Sequence, residues 1–153
     1  MSRTVLITGG TSGIGRAFVD TFARSGDEVW FTFFQGSERP EDVVAAYPNV
    51  RIKFFPLNLG EYESVSSLVK SLPSIPDVLI HNAGLGSKTV EKVATEPHLR
   101  DQALIQVNSI GTLWLNNLIA PEMVKRGSGK IILISSVGGG ITQVPGFHHA
   151  DGM

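Results

Sequence analysis

The sequence predicts a doubly wound α/β fold built on a parallel sheet. Short β-branched or aromatic runs alternate along the chain with segments of helical period, and this alternation is typical of repeated βαβ units. Two of the runs, Val78–Ile80 and Ile131–Ile134, are continuously apolar, which indicates strands covered on both faces. A glycine-rich turn follows the first run and opens the first helical segment. The first run and this turn predict that the sheet begins with a strand-turn-helix unit.

The elements follow one another in a regular order. Strands are expected over Thr4–Thr8, Glu28–Phe33, Arg51–Pro56, Asp77–His81 and Lys130–Ser135. Crossover helices are expected over Gly13–Ser25, Glu41–Tyr47, Tyr62–Leu72 and about Pro97–Arg126. This order predicts a Rossmann sheet with the strand sequence 3-2-1-4-5. We expect residues 1–153 to form a single domain, because the chain is too short for two domains of ordinary size.

The charge balance argues against two classes of partner. Thirteen basic and fourteen acidic residues give a net charge of −1, which creates no field for a nucleic-acid backbone or for anionic lipid. The sequence has no cysteine, which fits a reducing compartment, and it begins without an apolar stretch long enough for a signal peptide or a membrane span. We therefore expect a cytoplasmic protein that binds neither nucleic acid nor membrane. The four histidines show no metal-ligand spacing, so no metal site is expected.

The glycine turn is the clearest functional signal in the chain. Thr8-Gly9-x-x-x-Gly13-x-Gly15 follows an apolar strand and precedes a helical segment. A pyrophosphate requires outward-pointing backbone N–H groups, a path free of side chains and the positive end of a helix, and glycines at such a turn supply these features. Gly9, Gly13 and Gly15 are therefore candidate ligands of a dinucleotide.

Further motifs stand at matching intervals after this turn. They are Asn82-Ala83-Gly84 behind the fourth strand, Asn108 in the long helical segment, and the pair Ser135-Ser136 at the end of the fifth strand. With the glycine turn they resemble the short-chain dehydrogenase/reductase (SDR) family, whose members reduce carbonyls or oxidise alcohols with NAD(H) or NADP(H). The resemblance covers essentially the whole chain and implies a nicotinamide dinucleotide as cofactor.

The resemblance assigns cofactor contacts to individual residues. It implies that Ser12 and the backbone of Ile14 contact phosphate, and that Asn82-Ala83-Gly84 lines the cofactor pocket while buttressing the sheet. Asn58 stands where family members usually carry Asp near the adenine. Its side-chain carbonyl can accept from the adenine amino group, and a turn-forming asparagine without a cofactor contact is an equal alternative.

The end of the second strand decides between NAD and NADP, because an acidic side chain there accepts from the ribose 2′-OH of NAD. Phe33–Ser37 contains no carboxylate, and the first acidic residue is Glu38. Ser37 and Arg39 offer a hydroxyl and a guanidinium that match a 2′-phosphate. We expect NADP, with NAD possible, and a solvated loop arginine is the alternative interpretation of Arg39.

The catalytic pattern of the family is matched only in part. By resemblance, Ser136 orients the substrate oxygen, and Asn108 anchors a water that is linked to solvent. The family carries its acid Tyr thirteen residues after that Ser and its Lys four residues later, and these positions are His149 and Met153 here. The resemblance therefore implies an oxidoreductase by descent that is catalytically impaired, with the imidazole of His149 as the remaining candidate acid.

Three accounts fit this mismatch: a truncated or frameshifted reductase, a dinucleotide-binding or partner subunit without redox chemistry, and a non-redox isomerase or cyclase that uses Ser136 and His149. No substrate is assigned, because family members recognise substrate with segments beyond this point.

We expect the fold to stop after the fifth strand, which then has an open edge and one face without a covering helix. This predicts a homo-oligomer, formed through that edge or through the helix that carries Leu104, Val107, Leu115 and Leu118.

Overall fold

The computed structural model describes residues 2–135, without the side chains of Ser87 and Lys88, and its centre is a five-stranded parallel sheet. The strands are β1 (Thr4–Ile7), β2 (Glu28–Phe33), β3 (Ile52–Pro56), β4 (Val78–His81) and β5 (Lys130–Leu133). They are arranged β3-β2-β1-β4-β5, and each neighbouring pair is parallel. The predicted strand order is confirmed. The order reverses between β1 and β4, and such a switch point opens a crevice at the carboxyl edge of the sheet.

Helices connect the strands on both faces. They are α1 (Gly13–Arg24), α2 (Pro40–Ala45), α3 (Tyr62–Ser71), α4 (Ser87–Val90), α5 (Pro97–Ile105) and α6 (Thr112–Arg126), with a π-helical turn over Gln106–Gly111 between α5 and α6. The single long helix expected over Pro97–Arg126 is thus two α-helices joined by a wider turn. Gly127 ends α6 in the left-handed conformation. Within residues 2–135, no helix is long and apolar enough to span a membrane.

Strand residues alternate between two apolar layers, which explains the continuous apolar runs in the sequence. One layer joins Leu6, Trp30 and Leu79 to side chains of α3 and α6. The other layer joins Ile7 and Phe31 to side chains of α1 and α2. All five of these strand side chains are almost completely buried. The fold is therefore a three-layer α/β/α sandwich that holds the strand ends in fixed positions.

The fifth strand departs from expectation in its burial. Its apolar sequence predicts cover on both faces, yet all four residues of Lys130–Leu133 are exposed. Among residues 2–135 its one strand neighbour is β4. Ile134, just past the strand, is partly buried against the core layer that contains Ile7. The expectation of two covered faces is therefore wrong for the part of the chain that the structure describes, whereas the expected open edge is present there.

The helix face that was expected to mediate association belongs to the core instead. Leu104 and Leu115 are buried, while Val107 and Leu118 are partly buried against the layer that contains Leu79. Residues three and four positions apart form one stripe on a helix, and here that stripe covers the sheet. The large apolar side chains that α5, the π-helical turn and α6 leave exposed are Leu99, Ile105, Ile110, Leu113 and Val124.

Candidate cofactor-binding site

The glycine turn between β1 and α1 has a backbone that other residues cannot reproduce. At Gly15 a Cβ atom would stand 1.9 Å from the carbonyl oxygen of Gly9 and 2.5 Å from Nδ2 of Asn82, so a side chain does not fit there. At Gly13, φ is +52° and a Cβ atom would meet nothing within 4 Å. The turn is therefore closed against the sheet at Gly15 and open at Gly13, which leaves a cradle free of side chains.

The amino end of α1 supplies hydrogen-bond donors to this cradle. α1 begins at Gly13, and the N–H groups of its first turn have no carbonyl partner within the helix. Ser12 makes no capping bond with its side chain, and the side chain of Ile14 is 60% exposed. The helix is 12 residues long, so its dipole adds positive potential at the same place. These features fit a pyrophosphate, which Ser12 and the amides of Gly13–Gly15 would hold.

Two threonines fasten the glycine turn to the strands beside it. The Thr8 hydroxyl accepts from the backbone N–H groups of Asn82 and Ala83, each at 2.9 Å, and donates to a carbonyl oxygen of β4 at 3.4 Å. The Thr32 hydroxyl accepts from the N–H of Gly9 at 3.2 Å. The sequence motif includes Thr8 without assigning its hydroxyl a role, and it does not include Thr32. A threonine that interrupts the apolar run of β2 is the signal that could have identified Thr32.

Asn82-Ala83-Gly84 comes directly after β4 and lies against the glycine turn. Nδ2 of Asn82 donates to the carbonyl oxygen of Thr8 at 3.0 Å and to that of Gly9 at 3.4 Å. A Cβ atom at Gly84 would lie 3.0 Å from Oδ1 of Asn108. The amide of Asn82 therefore holds the turn against β4, and Gly84 allows the π-helical turn to approach the same edge of the sheet.

Asn108 lies in the π-helical turn and is almost completely buried. Its Oδ1 accepts from the N–H of Leu85 at 2.6 Å, and its Nδ2 donates to the carbonyl oxygen of Leu85 at 2.8 Å. Both ends of the side-chain amide are therefore paired with the segment that follows β4. A π-helical turn inside an α-helix is frequent at functional sites, and here it couples the α5–α6 region to the candidate cofactor edge.

The loop after β2 is fastened to the glycine turn. The Ser37 hydroxyl donates to the carbonyl oxygen of Thr11 at 3.3 Å, and the N–H of Glu38 donates to the same oxygen at 3.2 Å. The carboxylate of Glu38 pairs with the guanidinium of Arg16 in α1 at 2.7 Å. The Glu38 carboxylate, the first after β2, is thus paired with α1, and the loop lies beside the cradle.

Arg39 precedes α2 directly and is exposed. Its guanidinium forms a bidentate pair with Asp42, at 2.9 and 2.8 Å, and this hydrogen bonding lowers the pKa of the Asp42 carboxyl. Exposed pairs of neighbouring residues contribute little to stability, because water screens them. The residue predicted to bind a 2′-phosphate is therefore held by a surface carboxylate in a weak pair.

Asn58 follows β3 and forms a turn with its own side chain. Its Oδ1 accepts from the N–H of Gly60 at 2.9 Å, and its backbone N–H donates to the hydroxyl of Ser64 at 2.8 Å. This is the turn-forming geometry that the sequence left as an equal alternative to a contact with adenine. Nδ2 has no hydrogen-bond partner among residues 2–135.

His81 ends β4 inside the core, one residue before the Asn82 motif, and the sequence analysis assigned it no role. It is 4% exposed, and neither ring nitrogen has a hydrogen-bond partner among the described residues. Burial lowers the pKa of the imidazole. The nearby Asn116 side chain of α6 partly opposes this shift without reaching hydrogen-bonding geometry. Burial therefore favours the neutral form of the His81 imidazole.

The end of β5 lies beside the candidate cofactor edge. The N–H of Ile134 donates to the carbonyl oxygen of His81 at 3.0 Å, which aligns the ends of β5 and β4. Ser135 follows and is exposed. The predicted catalytic residues Ser136 and His149 lie outside the described residues.

A cavity of about 490 Å³ lies at the opposite, amino edge of the sheet. Its lining contains Thr4, Ser74, Ile75, Asp77, Glu122, Lys125 and Arg126. The charges of this lining pair with one another, Arg126 with Asp77 at 3.6 Å and Lys125 with Glu122. Arg126 also donates to two carbonyl oxygens of the loop before β4. The cavity therefore resembles a structural junction more than a ligand site, and the cradle at the carboxyl edge is the better candidate.

The fold and the cradle together define an α/β protein with a dinucleotide-binding turn. The family model described as short chain dehydrogenase matches residues 3–149. The chain belongs to this family of oxidoreductases. It is 34% identical over 149 residues to a Drosophila melanogaster "Dehydrogenase/reductase SDR family protein 7-like", covering 90% of this chain and 44% of that protein. It is 32% identical to an Aquifex aeolicus 3-oxoacyl-[acyl-carrier-protein] reductase, covering 88% of this chain and 55% of that protein.

Solved structures agree with this assignment. A short-chain dehydrogenase from Streptomyces avermitilis superposes with a TM-score of 0.82 at 28% identity, covering 98% of this chain and 55% of that chain. Serine dehydrogenase complexed with NADP+ superposes with a TM-score of 0.76 at 26% identity, covering 96% of this chain and 60% of that one. The chain thus spans about half the length of the curated relatives it matches.

Proposed function

We propose that this chain binds a nicotinamide dinucleotide, NADP(H) by preference, and is the cofactor-binding part of an SDR oxidoreductase. The observation that carries the proposal is the cradle at the amino end of α1, where Gly13 is open and Gly15 admits no side chain. Its open N–H groups and its positive potential suit a pyrophosphate. When bound, a nicotinamide dinucleotide supplies the hydride for carbonyl reduction or accepts it in alcohol oxidation.

The preference for NADP rests on Ser37 and Arg39, beside the end of β2. The Arg39–Asp42 pair is exposed, so the guanidinium can leave Asp42 at little cost and present its two-pronged donor set to a 2′-phosphate. The nearest carboxylate after β2, that of Glu38, is engaged by Arg16 and is not free to accept from a ribose 2′-OH. One similar structure, serine dehydrogenase, is a complex with NADP+.

We propose that this chain has negligible carbonyl-reducing activity. Ser136 and Asn108 match family positions that orient the substrate and anchor a water, but His149 and Met153 occupy the acid and ammonium positions. A thioether cannot carry the charge that holds the ribose and lowers the pKa of the acid. General acid catalysis contributes about a hundredfold to ten-thousandfold in rate, so its loss alone accounts for a large deficit.

A non-catalytic binding or partner subunit is the second candidate function, and we propose that the chain forms a homo-oligomer. The exposed side chains of Ile105, Leu113 and Val124 on α5 and α6, together with the exposed strand β5, favour association. Groups of exposed apolar side chains are typical of an interface. Sedimentation that gives a single monomeric species at high protein concentration would contradict this part.

Dinucleotide binding is tested by titrating the chain with NADPH and following the fluorescence of its nicotinamide. We expect saturable binding, weakened at least about tenfold by Gly13→Ala, because a methyl group would enter the cradle. Gly26→Ala is the matched control: Gly26 has φ +81° and open space around its Cβ position, but it lies at the far end of α1. A folded protein that binds no dinucleotide, or equal effects of the two variants, would contradict the proposal.

This activity is tested with the same protein by following NADPH absorbance in the presence of a panel of ketones. We expect no consumption above the rate without protein. Steady consumption that Ser136→Ala eliminates would identify the chain as a working reductase and overturn this part of the proposal.

A further inference from the structure

We propose that His81 makes dinucleotide binding depend on pH: when its imidazole takes up a proton, the end of β4 opens and releases the glycine turn. This control rests on the proposed function, because it acts on the same site. His81 itself has no predicted contact with the cofactor, and its influence passes through the residues on either side of it.

The imidazole lies in a part of the core that cannot hold a charge. Strand residues alternate between the faces of the sheet, so His81 shares the face of Leu79, whose core layer contains side chains of α6. His81 is 4% exposed, and neither ring nitrogen has a hydrogen-bond partner among the described residues. The neutral ring leaves one N–H donor unpaired there, whereas the protonated ring would leave two donors and a full positive charge.

The titratable groups on the neighbouring elements lie at the far edge of the sheet. The strands β1 and β5 flank His81, and α6 packs over it at Asn116. The titratable residues of these elements are Lys130 of β5 and Glu122, Lys125 and Arg126 of α6. They belong to the amino edge, where Lys130 is level with Val78, whereas His81 is level with Leu133. Protonation of the closed structure would therefore create a buried charge that no carboxylate of these elements compensates.

The residues on either side of His81 hold the glycine turn. The carbonyl oxygen of Ile80 accepts from the backbone N–H of Thr8 at 3.0 Å, and the backbone N–H of Asn82 donates to the Thr8 hydroxyl at 2.9 Å. The carbonyl oxygen of His81 accepts from the N–H of Ile134 at 3.0 Å. An imidazole that moves out to water would therefore loosen both contacts to Thr8 and the end of β5.

Protonation and dinucleotide binding consequently oppose each other. The dinucleotide requires the closed edge, and the proton requires the open one, in which a hydrated imidazole has its ordinary pKa of 6.5. Because one proton is taken up per opened site, the dissociation constant rises by at most about tenfold for each pH unit below that value. Burial lowers the pKa of the ring in the closed form, so the effect begins below 6.5 and is absent above it.

The test measures the dissociation constant of NADP+ by calorimetry between about pH 5 and pH 8, at values where circular dichroism shows the folded chain. The readout is the constant of the unaltered chain divided by that of His81→Asn, because ionisation of the ligand's 2′-phosphate near pH 6 cancels in this ratio. We expect a constant ratio above about pH 7 and a rise of at least about fivefold towards pH 5.

Two further variants support the comparison. His81→Met removes the titrating group with an apolar side chain, so it replaces His81→Asn if the latter does not fold. His98→Gln is the matched control, because His98 is an exposed histidine at the start of α5. We expect His98→Gln to keep the pH dependence of the unaltered chain.

A second readout needs no ligand. In nuclear magnetic resonance spectra of the ¹⁵N-labelled chain, the amide signals of Ala83 and Ile134 should shift on acidification, because both N–H groups belong to the edge that opens. The signals of Val5 and Val29, which are fully buried in β1 and β2, should stay in place. In His81→Asn the shifts of Ala83 and Ile134 should be absent.

The outcomes separate this inference from the proposed function. A ratio that does not change with pH, or loss of the pH dependence in His98→Gln, would overturn the role of His81 and leave the proposed function standing. Failure of every folded variant to bind NADP+ at pH 8 would overturn the proposed function. The amide signals would then decide the role of His81, and unchanged signals of Ala83 and Ile134 would overturn it.

Discussion

Replacing Thr8 by valine should destabilise the protein through the glycine turn. Thr8 is 1% exposed, and its hydroxyl accepts from two backbone N–H groups, those of Asn82 and Ala83, at 2.9 Å each. Valine has nearly the same shape and no acceptor, so both amides lose their partner. An unsatisfied buried donor costs about 1–3 kcal/mol. Because these two amides are partly buried, we take the lower part of this range and expect a total loss of about 2–3 kcal/mol.

Two further threonine-to-valine variants calibrate this value. Thr32→Val removes the acceptor of a single N–H, that of Gly9 at 3.2 Å, so we expect a loss of about 1 kcal/mol. Thr21→Val changes an exposed side chain of α1 whose hydroxyl donates to a helical carbonyl, and surface changes of this kind stay within about 0.5 kcal/mol. The three variants should therefore rank Thr8, Thr32, Thr21 in decreasing effect.

The free energy of unfolding of the series is measured by urea denaturation, followed by the fluorescence of the buried Trp30 and of Trp114. The slope of the transition should be the same for all variants, because each of them exposes similar surface on unfolding. Thr8→Val with a stability equal to that of Thr21→Val would refute the reasoning, since the Thr8 hydroxyl would then not be holding the segment after β4.

Three other perturbations test separate parts of the structure. Burial lowers the pKa of His81 in the folded chain, so the unfolded chain binds more protons as pH falls through 6.5. The contribution of His81 to the free energy of unfolding should be fully present above that pH and decline below it. Denaturation at several pH values should show this decline, and His81→Asn should remove it. Gly15→Ala should unfold the turn or displace α1, because its Cβ would meet the Gly9 oxygen at 1.9 Å, and circular dichroism melting should show a far larger loss than for Gly26→Ala. Asn108→Asp would set a carboxylate oxygen against the carbonyl oxygen of Leu85. Denaturation at neutral pH, where the carboxylate is charged, should show that the free energy of unfolding falls by about 2 kcal/mol.

Much of the fold was predictable because its signals are local. The apolar runs, the glycine turn and the helical periods determine where each strand and helix forms, and the strand order follows from repeated βαβ units. The burial of β5 was not predictable in the same way. An apolar run such as Ile131–Leu133 carries no information about which partner covers it. The run therefore suggested two covered faces, whereas Lys130–Leu133 is exposed in the part of the chain that the structure describes.

In the candidate site, too, the residues with a local sequence signal were predictable, and those that act through tertiary contacts were not. Gly13 and Gly15 were recognisable because the glycine spacing after an apolar strand and before a helical segment is visible in the sequence. Thr8 acts through backbone N–H groups 74 and 75 residues away, and the Arg16–Glu38 pair joins α1 to the loop after β2, so both depend on tertiary contacts. The side-chain turn at Asn58 likewise depends on a contact that the sequence does not show, the one between its Oδ1 and the Gly60 N–H.

The central claim is that a dinucleotide binds at the carboxyl edge, on the amino end of α1. Nuclear magnetic resonance of the ¹⁵N-labelled chain titrated with NADP+ tests this claim most directly, because glycine amides resonate in a separate region of the spectrum. The account predicts saturable shifts of the Gly13, Ile14 and Gly15 amides, while the amides of Asp77 and Lys125 at the amino edge stay in place. Unchanged amides at the turn, or shifts confined to the amino edge, would contradict it.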